Sequence, residues 1–186
     1  TKPSLATEKL LFDQGWVFHL GAIDSLQVLT DTMALLSKSD TSWRKVTLPH
    51  DWSIEGAFSK ANPAGNQGGA LPGGIGWYRK AFTLLTADSL RKIAIGVDGV
   101  YRYSKVWING HLLGERPNGF VSFTYSLRPY LHYDGRKNVL VVRVDNSAQP
   151  NSRWYSGSGI NRDVWLIKKG PLFINDRESY FYTKEV

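Results

Sequence analysis

Two short stretches combine residue types able to do chemistry. Pro49-His50-Asp51-Trp52 places an imidazole, a carboxylate and an indole side by side, and Asn151 to Leu166 gathers Arg153, Trp154 and Tyr155 just before Ser156-Gly157-Ser158-Gly159. A sugar presents an apolar face that stacks on Trp or Tyr, and a rim of hydroxyls that asks for Asp, Asn or Arg. Both stretches offer both kinds of group, so His50, Asp51, Trp52, Arg153, Trp154 and Tyr155 are candidate sugar contacts. A packing alternative stands beside this one: Trp52 and Trp154 could plug the edge of a sandwich, and Arg153 could pair with a surface acid.

Other chemistries fit worse. The four histidines (19, 50, 111 and 132) are dispersed, no Gly-x-Ser-x-Gly elbow occurs and there is no cysteine, so a nucleophilic triad has no support. Neither HExxH nor any other metal-ligand spacing appears, and no metal or other cofactor is expected. The glycines at 73, 74 and 76, and those at 157 and 159, lead into strand-like runs rather than opening a helix. A phosphate cradle therefore lacks its structural context.

Strands must position these groups. Alternating runs separated by turn residues recur at Gly15–Leu20, Arg44–Leu48, Gly76–Thr83, Lys92–Val97, Val100–Ile108, Phe120–Leu127, Asn138–Val144, Val164–Lys168 and Glu178–Thr183. Asp98-Gly99 and Asn109-Gly110 read as hairpin turns, because both central positions of such a turn need positive φ. Eight or more strands with turns every ~8–12 residues predict an all-β sandwich. In Gly76–Thr83, alternation puts Trp77, Arg79 and Ala81 on one face and Tyr78, Lys80 and Phe82 on the other. Trp107 and Trp165 alternate with polar neighbours and are expected in the core. Asp24 to Lys38 reads as a loop with a possible helical turn. Ile54 to Ile75, with six glycines and two prolines, reads as a long surface loop.

Composition sets the outer bounds. A length of 186 residues suits one domain over residues 1–186, and 42% hydrophobic content is enough for a core. The net charge of +7 raises the question of nucleic acid, but the cations are scattered in pairs such as Arg44-Lys45 and Arg79-Lys80. With no basic block and no binding motif, neither nucleic acid nor a membrane surface is an expected partner. No apolar run approaches the ~20 residues of a membrane span, and the first residues lack a signal-peptide pattern. The chain ends within an alternating run, Ser179 to Val186, so it is expected to be a domain cut from something larger.

Six motifs in order then carry a resemblance. They are Leu48-Pro49-His50-Asp51-Trp52, Gly76 to Phe82, Val106-Trp107-Ile108-Asn109-Gly110, Asn118-Gly119-Phe120, Val142 to Asn146, and Trp154 to Leu166. Together they resemble the amino-terminal sugar-binding domain of glycoside hydrolase family 2, in the β-galactosidase branch of Bacteroides type. The resemblance runs from about Leu11 to the end. It implies a jelly-roll, galactose-binding-domain-like β-sandwich, followed in the parent by an immunoglobulin-like domain and a TIM barrel bearing the catalytic residues. It also implies a periplasmic or secreted protein of a Gram-negative bacterium, with the cytoplasm as the alternative.

Retaining glycosidases need two carboxyls about 5–5.5 Å apart, and in this family one belongs to an Asn-Glu pair. No Asn-Glu pair occurs here, so the chain carries no catalytic residue and is expected to be inert alone. The resemblance implies that the two candidate stretches wall the active site around a β-linked terminal sugar. It also places Arg153 where β-galactosidases and β-glucuronidases keep an Asp. A cation cannot accept hydrogen bonds from hydroxyls. The position would then favour a carboxylated or sulfated sugar, or pair with a barrel acid, leaving Asp51 as the hydroxyl acceptor. The competing expectations are an independent carbohydrate-binding module and a structural buttress that never meets ligand.

Overall fold

The computed structural model describes residues 6–23, 42–173 and 179–185. Among them are ten strands and no α-helix. They run β1 (Glu8–Leu11), β2 (Trp16–Leu20), β3 (Arg44–Val46), β4 (Gly74–Phe82), β5 (Lys92–Val97), β6 (Ser104–Ile108), β7 (His111–Arg116), β8 (Phe123–Ser126), β9 (Asn138–Asn146) and β10 (Val164–Lys169). Two antiparallel sheets form, in the orders β1-β10-β5-β8 and β3-β2-β4-β9-β6-β7. This is the all-β sandwich expected from strand periodicity.

The core lies between the sheets because alternate residues of each strand are apolar and point inward. Trp16, Phe18, Tyr78, Leu140, Val142 and Val144 of the six-stranded sheet meet Ile93, Ile95, Val97, Phe123, Val164 and Leu166 of the other. Strand β9 is apolar in succession (Val139-Leu140-Val141-Val142) because both of its faces are covered. On its far side, Val139 and Val141 pack with Trp77 and Trp107, whose rings stack at 6.0 Å and 22°. The face assignment of β4 holds: Tyr78 and Phe82 belong to the main core, while Trp77 and Ala81 belong to the outer cluster.

Four sequence expectations are corrected. Asp98-Gly99 is not a hairpin turn, since β5 pairs with β10 and β8 while β6 sits in the opposite sheet. The expected strand from Val100 begins only at Ser104, after a crossover containing Tyr103 at φ 45°. Trp165 lies outside the core. Val164 and Leu166 take the inward positions, and the half-buried Trp165 carries the Lys9 ammonium 4.0 Å from its ring centroid. Within the expected strand Glu178–Thr183, residues 179–183 form none, and Tyr180, Phe181 and Tyr182 are exposed with no sheet to pair with.

Asn109-Gly110 does turn a hairpin between β6 and β7, with φ of 48° and 83°. The long loop before β4 holds two short 3-10 turns, Ser53–Glu55 and Gly65–Gly68, and buries Ala64 and Leu71. The stretch Asp24 to Lys38 lies outside the described residues.

Candidate functional site

Both candidate stretches leave strand ends at one rim of the sandwich. Residues 47–53 follow β3, and residues 147–163 join β9 to β10. They run side by side: His50 N donates to Ile160 O (2.8 Å), and Trp52 N to Ser158 O (3.1 Å). Each stretch is entered through a cis X-Pro bond, Leu48-Pro49 and Gln149-Pro150.

Close contact between the two stretches requires glycine at 159. Its φ is +124°, and a Cβ there would lie 2.3 Å from the Tyr78 hydroxyl and 2.6 Å from His50 O. The same residue bridges to Tyr101 through a reciprocal pair of backbone hydrogen bonds, at 2.8 and 2.9 Å. The Gly-Ser-Gly element is thus a tight backbone junction.

Asp51 joins the two stretches through its side chain. Oδ1 accepts from Ser53 N (3.0 Å) and Ser158 N (2.9 Å), while Oδ2 accepts from the Tyr155 hydroxyl. Burial, followed by the adjoining carboxylate, holds the Tyr155 hydroxyl far above its ordinary pKa, so Tyr155 remains a neutral donor. Asp51 and Tyr155 are therefore brought together, in line with their shared candidacy.

Trp154 is 67% exposed and Arg153 is exposed beside it, so both point to solvent at this rim. Trp52 takes the packing alternative. It is 2% exposed, its ring stacks on Phe18 (5.6 Å, 24°), and its Nε1 donates to Gly73 O at 3.1 Å. A residue so enclosed has no face left for a sugar.

His50 lies beneath the rim. Its Nδ1 is 2.7 Å from the Tyr78 hydroxyl, and its Nε2 faces Glu55 Oε1 (3.2 Å) and Arg44 Nη2 (3.1 Å). Arg44 also pairs with Glu55. Burial pushes the His50 pKa below its usual value, assisted by Arg44 and opposed by Glu55 and Asp51. The unfolded chain then binds more protons than the folded one below the ordinary histidine pKa of about 6.5. His50's contribution is complete above that pH and is lost as pH falls below it. Replacing His50 with Gln should flatten the rise in stability as pH climbs toward about 6.5, followed by urea midpoints at and below that pH. An unchanged slope would assign the dependence to another group.

The support beneath the rim was not visible as a site in the sequence. Asn146, buried at the end of β9, donates from Nδ2 to Ser158 Oγ (2.7 Å) and Gly157 O (3.1 Å). Its Oδ1 accepts from Gln149 Nε2 (2.9 Å) and Asn151 Nδ2 (2.7 Å). Ser53 Oγ donates to Ser158 Oγ (2.6 Å), and the Tyr101 hydroxyl donates to Asn151 Oδ1 (2.9 Å). An Asn ending a strand before a polar loop, as in Val142 to Asn146, is the one local signal of this network.

The cleft between Leu71, Tyr101, Asn151, Trp154 and Tyr155 has a volume of about 20 Å³. That is room for about one water molecule and far short of a sugar ring. By itself the rim offers a wall and no enclosure. Among the described residues no group of three or more His, Cys, Asp or Glu side chains converges as a metal site.

Known proteins share this architecture and sequence. Residues 61–170 match the family described as glycosyl hydrolases family 2, sugar binding domain. A β-galactosidase from Bacteroides ovatus is 52% identical over 179 residues, covering 96% of this chain and 20% of that protein. A putative β-glucuronidase from Formosa agariphila is 42% identical over 147 residues, covering 79% of this chain and 14% of that protein. Among solved structures, a β-glycosidase from Bacteroides vulgatus superposes with a TM-score of 0.79 at 46% identity, covering 88% of this chain and 20% of the other. The chain thus spans a fifth or less of the length of these relatives. On the strength of the family match and the fold it shares with these enzymes, the chain belongs to glycoside hydrolase family 2, as its amino-terminal sugar-binding domain.

Proposed function

We propose that the chain is the accessory domain of a retaining family 2 β-galactosidase. Residues 49–53 and 151–159 would form part of the wall around a β-linked terminal sugar held by a separate catalytic barrel. One observation carries this reading. Asp51 locks two loops from distant parts of the sequence into one rigid rim, yet the cleft there is too small for a sugar. Such a rim suits a site completed by another domain, with an immunoglobulin-like domain between this one and the barrel. The names of the relatives support a β-galactosidase, with β-glucuronidase as the neighbouring activity. Asp51, Tyr155, Trp154 and Arg153 are the residues that would meet substrate, with His50 as a support from below.

The intact protein tests this. It should cleave aryl β-galactosides with kcat/KM at least about tenfold above that for β-glucuronides, equivalent to ~1.4 kcal/mol in transition-state binding. Exposed Arg153 is expected to favour carboxylate- or sulfate-bearing sugars. Arg153→Ala should accordingly lower kcat/KM on such substrates more than on neutral galactosides. An equal change on both classes would remove Arg153 from substrate recognition, and a reversed activity ratio would assign the parent to the glucuronidases.

A second reading, an independent carbohydrate-binding module, draws on Trp154, whose ring is largely free for stacking. Sub-millimolar binding of galactose or glucuronate to the separate chain, measured by titration calorimetry, would favour that reading over a partial wall.

A further inference from the structure

The motif Asn118-Gly119-Phe120 lies outside the two rim stretches, yet the fold presses it against Tyr101. Gly119 makes the contact possible: a Cβ there would come within 2.2 Å of Tyr101 Cδ2 and 3.0 Å of its Cα. Asn118 Oδ1 accepts from Phe120 N at 2.8 Å and fixes the turn. The Phe120 ring consequently packs on that of Tyr101, with centroids 5.2 Å apart and planes at 56°.

Tyr101 is itself tied to the rim. Its backbone bridges to Gly159, its hydroxyl donates to Asn151 Oδ1 at 2.9 Å, and it lines the small cleft together with Trp154 and Tyr155. An aromatic series therefore leads from Trp154 across the cleft to Tyr101 and on to Phe120. Only the middle member is enclosed: Tyr101 is 4% exposed, whereas Trp154 is 67% and Phe120 60% exposed.

A lone exposed Phe is ordinary on a protein surface. This one is held by a dedicated turn against a residue of the rim, with a cation beside it. The Arg102 guanidinium carbon lies 5.9 Å from the centroid of the same Tyr101 ring. An apolar ring with hydrogen-bond donors at its side is the combination that a sugar takes.

We propose that Phe120 is a further binding residue, a platform for the sugar unit next to the terminal one in the substrate. The inference rests on the rim reading, in which Asp51 and Tyr155 meet the terminal sugar. The width of the Tyr101 ring separates Phe120 from the cleft, which puts it beyond that sugar and within reach of its neighbour. Binding energy gained there favours oligosaccharides over galactosides with small leaving groups.

The intact protein tests this with substrates that share a terminal β-galactose. β-Galactosyl azide has a leaving group too small to reach Phe120, whereas β-linked galactobioses of differing linkage carry a second sugar. Phe120→Ala should lower kcat/KM on the best galactobiose about fivefold or more, as for a lost ring stack, and leave the azide unchanged. Phe120→Tyr keeps the ring and should keep the rate. Asp51→Ala should lower both substrates alike. Equal loss on azide and galactobiose in Phe120→Ala would make the loop a brace for the rim. A lower unfolding midpoint with unchanged kinetics would make Phe120 a contact to a neighbouring domain. No effect on either measurement, equal losses in the Ala and Tyr variants, or wild-type cleavage of the azide but of no galactobiose would leave the ring without a sugar. Each of these results overturns the proposal, while the loss in Asp51→Ala keeps the rim reading standing. Should Asp51→Ala also change nothing, or should the azide not be cleaved at all, the rim reading of a β-galactosidase falls with it.

Discussion

Replacing Trp52 with alanine is expected to destabilise the domain by about 3–5 kcal/mol, the usual range for truncating a buried Trp. The indole is 2% exposed and fills the space above Gly76, where even a Cβ would come within 2.6 Å of Trp52 Cζ3. Strand β4 has no side chain there that could move into the gap, so little of the cavity would collapse. The variant would also lose the stacked contact with Phe18 and leave Gly73 O without its indole donor. Denaturant unfolding measures this as a lower midpoint at constant slope. Trp154→Ala is the control, and its exposed ring predicts a change within about 0.5 kcal/mol. If the two variants unfolded alike, Trp52 could not be the packing residue described above.

Asp51→Ala should act on two levels. It removes the acceptor for Ser53 N, for Ser158 N and for the Tyr155 hydroxyl at once. At about 1–3 kcal/mol for a hydrogen bond to a charged group, discounted because the site is half-exposed, the loss of stability should be roughly 2–4 kcal/mol. In the intact protein the loosened rim should also cost transition-state stabilisation of about 1–3 kcal/mol, seen as lower kcat/KM. Asp51→Asn separates the levels. Its Oδ1 still accepts from both backbone N–H groups, so much of the stability should return, while the charged acceptor for sugar hydroxyls and for Tyr155 stays lost. If Asp51→Asn recovered full activity along with stability, the role of Asp51 would be to brace the loops, with no part in binding substrate.

Strand content and the two-faced character of β4 were legible because alternation in chain order is a local property. Asn109-Gly110 was legible for the same reason, since its turn depends on the backbone freedom of two adjacent residues. Asp98-Gly99 carries the same turn signal and forms no hairpin. Which strand pairs with which is decided by burial across the whole sheet, and β5 gains more between β10 and β8 than it would beside β6. The same global choice turned Trp165 outward and left residues 179–183 outside both sheets.

The candidate residues show a parallel division. Their types and their position just after predicted strands placed both stretches at strand ends, where the sandwich puts its rim. Residue type alone could not separate the aromatic that packs from the aromatic that faces solvent. Trp52 and Trp154 look alike in sequence, and only the enclosure by Phe18, Gly73 and Gly76 distinguishes them. Nor could sequence connect Asp51 with Ser158 and Tyr155, more than a hundred residues apart, or reveal Asn146 as the post beneath both loops.

What the sequence determined by itself was the fold class, the family and the absence from this chain of a catalytic Asn-Glu pair, because each is written in residue order and local periodicity. What the tertiary structure alone decided was which side chains are enclosed and which carboxylate bridges two loops. Those depend on distances between residues far apart in the chain, and such distances are set only when the two sheets close on a common core.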